Sequence, residues 1–350
     1  MACAVEPFIE RTDVFVSGEE GYHTYRIPAI VVTTQGTLLA FCEGRKTSRN
    51  DHGDVDLMLR RSTDGGKTWR PMQLVYEEGG TAKTTIGNPC PVVDQHTGTI
   101  WLPFCRDNYD VFITHSVDDG QSWAKPTKIT KAVSKPSWRW YATGPGHGIQ
   151  LKSGRLMIPC DHSPQPKGSP TRGKEAHSHV FYSDDHGKTW KLGGITDASM
   201  HECEVVELFD GSLLLSMRNY VGLERRAFAT SSDGGLSWSK PRHHADVFCP
   251  VCQASIVRYS LQPATATNQL LHSGPGGPGR NNMTVRLSRD EGKTWSVAKV
   301  IHKGPAAYSD LVVLPGGIVG CLYERGDKHP YERVTFDRIP VEWLTDGDLK

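Results

Sequence analysis

Short apolar runs dominate the chain, and they alternate with polar turns. "DLMLRRS" (Asp56 to Ser62), "DVFITHS" (Asp110 to Ser116), "SHVFYS" (Ser178 to Ser183), "RAFATS" (Arg226 to Ser231) and "MTVRLS" (Met283 to Ser288) are rich in β-branched and aromatic residues. Between them lie "GTIWLPFC", "GRLMIPC", "GSLLLSM", "NQLLHSG" and "GGIVGCLY". Runs of this length bounded by turn residues predict strands, and helical periodicity is rare, so the pattern predicts an all-β fold.

Each run of the first group ends in the same punctuation. Ser62 to Trp69 reads STDGGKTW, and it recurs as SVDDGQSW (from Ser116), SDDHGKTW (from Ser183), SSDGGLSW (from Ser231) and SRDEGKTW (from Ser288). All fit S-x-D-x-G-x-[ST]-W, at separations of 54, 67, 48 and 57 residues. Repeats at about this spacing signal a propeller, solenoid or array. The aspartate can bond nearby backbone N–H groups, the glycine can take a positive φ, and the tryptophan supplies an apolar wedge. Catalysis needs a site once, whereas a staple is needed in every unit, so the repeat is scaffold.

Composition narrows the field. The 350 residues include 36 Gly and 22 Pro, as a turn-rich chain requires. A net charge of +1, from 40 basic and 39 acidic residues, is a poor footprint for nucleic acid. No apolar run reaches the length of a membrane span, and the N-terminal stretch MACAVEPFIERTD lacks a signal-peptide pattern. Nine scattered cysteines read as buried free thiols. The chain as it stands therefore reads as cytoplasmic, or as secreted if it is trimmed from a longer form. Cys249 and Cys252 form a lone CPVC without the second pair a zinc ribbon needs. His177 and His179 lack a zinc motif, and loop polarity accounts for them. No metal and no cofactor are expected.

The five repeats resemble the Asp boxes of sialidases and related β-propellers. Other segments follow in that family's order: YRIP (Tyr25 to Pro28), FCEGRKTSRNDHGDVDLMLRRS (Phe41 to Ser62), NPCP (Asn88 to Pro91), GPGHGIQL (Gly144 to Leu151), HECEVVELFDGSLLLSMRN (His201 to Asn219), GRNNMTVRLSRDEGKTW (Gly279 to Trp295), AAYSDL (Ala306 to Leu311) and CLYE (Cys321 to Glu324). The chain is thereby identified as a member of the exo-α-sialidase family. The resemblance implies a six-bladed β-propeller: five boxed blades and a boxless last one around SDLVVLPGGIVGCLYE, with the first near YRIPAIVV and a C-terminal strand closing the ring. Residues 1–350 are expected to form one catalytic domain.

The resemblance also implies a site. Sialic acid bears a carboxylate on its anomeric carbon, and guanidinium groups match it in charge and fork geometry. Arg26, Arg218 and Arg280 match the family's triad. Sialidases use a tyrosine nucleophile. A neutral phenol meets less repulsion from that carboxylate, but its pKa near ~10 calls for a neighbouring base. Tyr308 matches the nucleophile and Glu202 the base, with Glu204 and Glu207 as nearby competitors. Asp51, nine residues before Arg60, matches the acid/base, with Asp54 and Asp56 as rivals. Arg45 and Asn88 resemble substrate contacts, and Glu324 and Glu43 resemble supports for arginines.

Cys160 to His179 reads as a long polar loop that departs from the family, so the acyl preference stays open. GPGGPGR (Gly274 to Arg280) reads as a turn delivering Arg280, since its prolines remove donors a phosphate loop would need. The expected partners are sialylated oligosaccharides, glycoproteins or glycolipids. Alternatives are preference for the deaminated sugar 2-keto-3-deoxynononic acid, a trans-sialidase, and a sialoside-binding lectin without turnover.

Overall fold

The computed structural model describes residues 8–166, 168–260 and 268–346. Cys3 and the first residues of the MACAVEPFIERTD stretch lie outside them. The described residues are almost entirely strand and turn, with two short α-helices, Thr130–Val133 and Val341–Thr345.

Five hydrogen-bonded sheets follow one another along the chain in a propeller-like arrangement. The first runs Thr24–Val32, Leu38–Arg45, Val55–Ser62, Gln73–Tyr76, each strand antiparallel to the last. Three more repeat that meander, centred on Ile100–Arg106, Leu156–Ser163 and Leu213–Asn219. The fifth has seven strands, and one of them, Val297–Val313, serves two partners. Its first half pairs with Asn281–Ser288 and its second half with Val319–Arg325. The C-terminal strand Arg333–Ile339 lies beyond that, and Glu10–Val16 pairs with it on the outside. The two ends of the chain thus meet in one sheet. The apolar pattern indicates the C-terminal strand but not its N-terminal neighbour, because ERTDVFV is polar and half exposed.

The boxes sit where strands turn at the rim. In the first, Asp64 Oδ1 accepts from Ser62 Oγ at 2.7 Å and from the N–H groups of Lys67 and Thr68, while Oδ2 accepts from Thr68 Oγ1. Ser62 Oγ in turn accepts from the N–H of Gly66. Gly66 has φ +85°, and a Cβ there would lie 2.2 Å from the Phe336 ring. Trp69 meets Phe336 edge-on at 5.4 Å. The bonds to the aspartate from the preceding serine hydroxyl and the following Ser or Thr hydroxyl recur at Asp118, Asp185, Asp233 and Asp290. The box glycines press on a different sheet: Gly120 on Leu39, Gly187 on Trp101, Gly235 on Met157 and Gly292 on Leu214. Each staple therefore also packs one sheet against the preceding one.

At the centre, the innermost strands exchange polar contacts. Asp310 accepts from the N–H of Ile30 at 2.7 Å, and Glu204 from the N–H of Ile256 at 2.9 Å. His147 Nδ1 lies 2.7 Å from Asp310, and Ser255 Oγ bonds both Glu204 and Asp310. These fully or nearly buried groups come from five segments far apart in sequence.

Several local expectations need correction. Cys160–Ser163 belongs to a strand, as does His177–His179, so the polar loop is only residues 164–176. His179 is wholly buried in a strand, packed tilted or edge-on against Trp138, Tyr141 and His162, so loop polarity does not account for it. Gly274–Gly277 extends a strand, which leaves only Pro278–Arg280 as the turn. The extension follows from pairing: Gly274, Pro275 and Gly277 sit opposite Thr284, Met283 and Asn281. The eight described cysteines are free and buried.

Candidate active site

A cleft of about 390 Å³ opens to solvent. It is lined by Arg26, Arg45, Asp51, Asn88, Glu202, Arg218, Arg280 and Tyr308, which come from segments spread over 280 residues. Glu43 also faces it, and Glu324 lies directly behind Arg26. All ten sequence-predicted site residues are thus brought together.

Irregular backbone delivers them. The pairing register slips between Arg26 and Ala29, between Met200 and Cys203, and between Ala306 and Ser309. A fourth slip falls between Asn281 and Met283, next to Arg280. Such bulges re-aim side chains that the regular pleat would send sideways. Ile27, beside Arg26, has φ +60°, costly for a β-branched residue, and it also lines the cleft.

The cleft floor is one connected network. The Tyr308 hydroxyl donates to Glu202 Oε1 in a short contact. Arg218 Nη1 donates to Glu202 Oε2 at 2.6 Å and to the Tyr308 oxygen at 3.0 Å. Arg26 and Arg280 flank the same phenol, their guanidinium carbons 5.0 and 5.2 Å from its centroid. The wholly buried Glu324 accepts from Arg26 Nε and Nη2 at 3.0 and 3.2 Å. It also accepts from the backbone N–H groups of Ile27 and Tyr308, at 3.0 and 3.1 Å. One carboxylate thus fixes an arginine and the backbone of the tyrosine together.

A second group holds the rim. Glu43 Oε2 accepts from Arg45 Nε and Nη2 at 2.9 and 2.6 Å, and its Oε1 accepts from the N–H of Asn88 at 2.9 Å. Asp51 Oδ1 accepts from Arg45 at 2.9 Å and from Arg26 at 3.3 Å, with its side chain 64% exposed. Its rivals lie elsewhere: Asp56 is buried against Tyr22 and Lys46, and Asp54 does not line the cleft. Glu204 is at the molecular centre, and Glu207 bonds the N–H of Lys152 outside the cleft.

The charges follow from this geometry. Burial alone would raise the Glu202 pKa, but Arg218, His201 and the Tyr308 hydrogen bond outweigh it and hold it down near 2. Burial and the Glu202 carboxylate push the Tyr308 phenol well above its ordinary value, against the pull of three arginines. The resting pair is therefore a neutral phenol beside an ionised carboxylate. Asp51 is shifted down, because Arg45 and Arg26 outweigh its partial burial.

Several lining residues escaped the sequence reading. Tyr331 accepts from Arg280 at 2.5 Å and stacks under Arg26 at 3.9 Å. Tyr220 accepts from Arg218 Nη2 at 2.6 Å. Trp140, Arg172, His201 and Asn108 complete the wall. His201 and Tyr220 adjoin Glu202 and Arg218 in the chain, so proximity was an available signal. Trp140 and Arg172 carried none, since an isolated tryptophan or loop arginine fits any surface.

A box-stapled, propeller-like all-β protein whose cleft gathers three arginines around a tyrosine and two carboxylates is the class these features define. Residues 36–321 match the model of the BNR repeat-like domain. A sialidase of Micromonospora viridifaciens is 35% identical over 92% of this chain, and the chain spans only about half (53%) of that relative's length. Sialidase-3 of Rattus norvegicus is 30% identical, with 93% of each chain covered. The solved structure of Hadza microbial sialidase Hz136 superposes with a TM-score of 0.83 at 28% identity, covering 95% of this chain and 69% of that one. The chain belongs to the sialidase family.

Proposed function

We propose that this protein is an exo-α-sialidase that removes terminal α-linked sialic acid from glycoconjugates with retention of configuration. The observation that carries the reading is the Tyr308–Glu202 contact on a floor where Arg26, Arg218 and Arg280 converge. Binding at that floor suits an acid group, since the arginines stay charged and present planar donors. The phenol then sits beneath the anomeric carbon.

In the first step the Tyr308 oxygen bonds to the anomeric carbon while its proton passes to Glu202. The glycosidic bond breaks, and the leaving oxygen takes a proton from Asp51. In the second step Asp51 removes a proton from water, whose oxygen bonds to the anomeric carbon. The tyrosyl bond breaks, and the phenol regains its proton from Glu202. Arg26, Arg218 and Arg280 hold the carboxylate throughout and face the charge that shifts onto the phenol oxygen.

The reading includes one propeller domain of six blades. The split pairing of the Val297–Val313 strand supports that count, because dividing it there leaves two four-stranded meanders. The test of the chemistry is direct. A fluorogenic sialoside should be cleaved, and Tyr308→Phe should lose at least a thousandfold in kcat while binding the sugar within a fewfold. A 2,3-difluoro sialic acid should leave its adduct on the peptide containing Tyr308. A Tyr308→Phe variant as fast as the parent, or an adduct elsewhere, overturns the mechanism.

A further inference from the structure

Arg26 and Arg280 share Tyr331 on one side of the cleft. The opposite wall runs from His52, beside Asp51, to Trp140 with ring centroids 5.9 Å apart. From there it passes to Arg172, whose guanidinium lies 3.9 Å over the Trp140 ring, and to His201 and Tyr220, 5.4 Å apart. Arg172 is held at the mouth by its loop: a Cβ on the adjacent Gly173 would meet the Tyr220 ring at 2.7 Å. Among the described residues the Arg172 guanidinium donates no hydrogen bond, so its donors are available to a ligand.

Behind this wall His201 and Asp161 face each other, and each keeps one buried polar atom without a partner among the described residues. His201 is 4% exposed; its Nε2 lies 3.3 Å from Asp161 Oδ2, and its Nδ1 has no hydrogen-bond partner among the described residues. Asp161 is wholly buried, accepts from Trp140 Nε1 at 3.2 Å with one oxygen, and leaves the other unpaired. Burial, then Arg218, holds His201 near 3 and so neutral; burial, then Glu202, raises Asp161 and favours the neutral acid. Unsatisfied buried atoms of this kind are destabilising unless a ligand or water completes them.

In the proposed mode of binding, with the carboxylate on the three arginines, C5 of the sugar ring and its substituent would face this wall. Among the described residues of this wall none is aliphatic, so none can receive a methyl group, and the Trp140 face is already covered by Arg172. We propose that Trp140, Arg172 and His201, backed by Asp161, form a specificity subsite that selects a hydroxyl-terminated C5 substituent over an acetamido group. That chemistry is met by the free hydroxyl of a deaminated nonulosonic acid or by an N-glycolyl group. A site built to hydrogen-bond a hydroxyl rejects analogues lacking it, because its own groups are then left unpaired.

The inference rests on the sialidase reading, and the experiment separates the two. Measure kcat/KM on the 4-methylumbelliferyl α-glycosides of N-acetylneuraminic acid, N-glycolylneuraminic acid and the deaminated sugar. In parallel, measure affinity for their unsaturated analogues by calorimetry. The parent protein should favour one hydroxyl-terminated sugar at least tenfold over the acetyl sugar, and whichever leads identifies the source of the hydroxyl. Arg172→Met keeps the stem over Trp140 and removes the donors; it should bring that ratio within threefold of unity. An acetyl preference in the parent, or an equal loss on all three sugars in the variant, overturns the subsite. Selective binding without cleavage of any glycoside would uphold the subsite and overturn the hydrolase reading.

Discussion

In the proposed mechanism Asp51 must serve two tasks, as acid and as base. In the open cleft its carboxylate is held down by Arg45 and Arg26, a poor state for a general acid. A substrate carboxylate would take up Arg26, whose contact with Asp51 is the longer one at 3.3 Å. Removing that favourable charge raises the Asp51 pKa in the complex and readies the proton the leaving group needs. The sign gives a prediction. The loss of activity on raising pH should fall at higher pH in kcat, which reports the complex, than in kcat/KM, which reports the free enzyme. Full pH profiles with a fluorogenic sialoside check this; coincident limbs would remove Arg26 from the control of Asp51. Glu324 makes a second residue-scale case, since it grips Arg26 and the Tyr308 N–H together. Glu324→Gln keeps the shape but loses the charge and one acceptor, so KM should rise at least tenfold with a smaller fall in kcat.

At the scale of the element, the box divides local from tertiary work. Its aspartate organises a turn: Asp118 accepts from Ser116, from the N–H groups of Gln121 and Ser122, and from the Ser122 hydroxyl. These bonds hold Asp118 near 2 and Asp233 near 2, with neighbouring hydroxyls and N–H groups outweighing or outranking burial. The turn is exposed, so Asp118→Ala should cost about 0.5–2 kcal/mol, the range for losing a comparable cap. The box glycine instead touches the preceding sheet. Gly66→Ala would force a Cβ into Phe336 at a positive φ, and should cost more, about 2–4 kcal/mol. Denaturant melts of both variants should rank them in that order, with kcat/KM of the folded fraction unchanged. The box motif could be read in sequence because serine, aspartate and glycine within eight residues satisfy each other. The partner of each glycine could not, because Phe336 lies 270 positions away from Gly66.

For the whole molecule, the centre acts as a clasp. His147, Glu204 and Asp310 place their ligand-type atoms within 4.8 Å of one another, a geometry that also suits a cation. Protonated His147 fills that role: burial lowers its pKa, but Asp310 and Glu204 outweigh it and lift it to about 9. A pKa raised in the folded state contributes stability fully below the unfolded value near ~6.5, and that stability is lost as pH climbs through 9. The buried imidazoles His179 and His201 work in the opposite sense. Burial, assisted by nearby positive charge, lowers both to about 3, so their contribution is present above ~6.5 and drains away as pH falls toward 3. Thermal melts across pH 4 to 9 should therefore show a dome with both limbs falling. His147→Gln should lower the dome and flatten its alkaline limb alone; an unchanged alkaline limb would remove the clasp from the account.

The sequence by itself determined the repeating turn chemistry, the strand-rich fold and the identities of Arg26, Glu202, Arg218 and Arg280 beside Tyr308. Those features rest on short-range rules: alternation, turn residues that satisfy their own backbone, and ordered motifs. Only the tertiary structure decided which side chains share a space. The bulges that aim Arg26, Glu202 and Tyr308 inward are pairing slips, invisible without the partner strand. Tyr331 under Arg26, Arg172 over Trp140 and His147 between two carboxylates bring together groups from remote segments, or turn them upon each other after the strands have paired. Such contacts arise when separate sheets close on one another, and no local pattern encodes where a distant strand will come to rest.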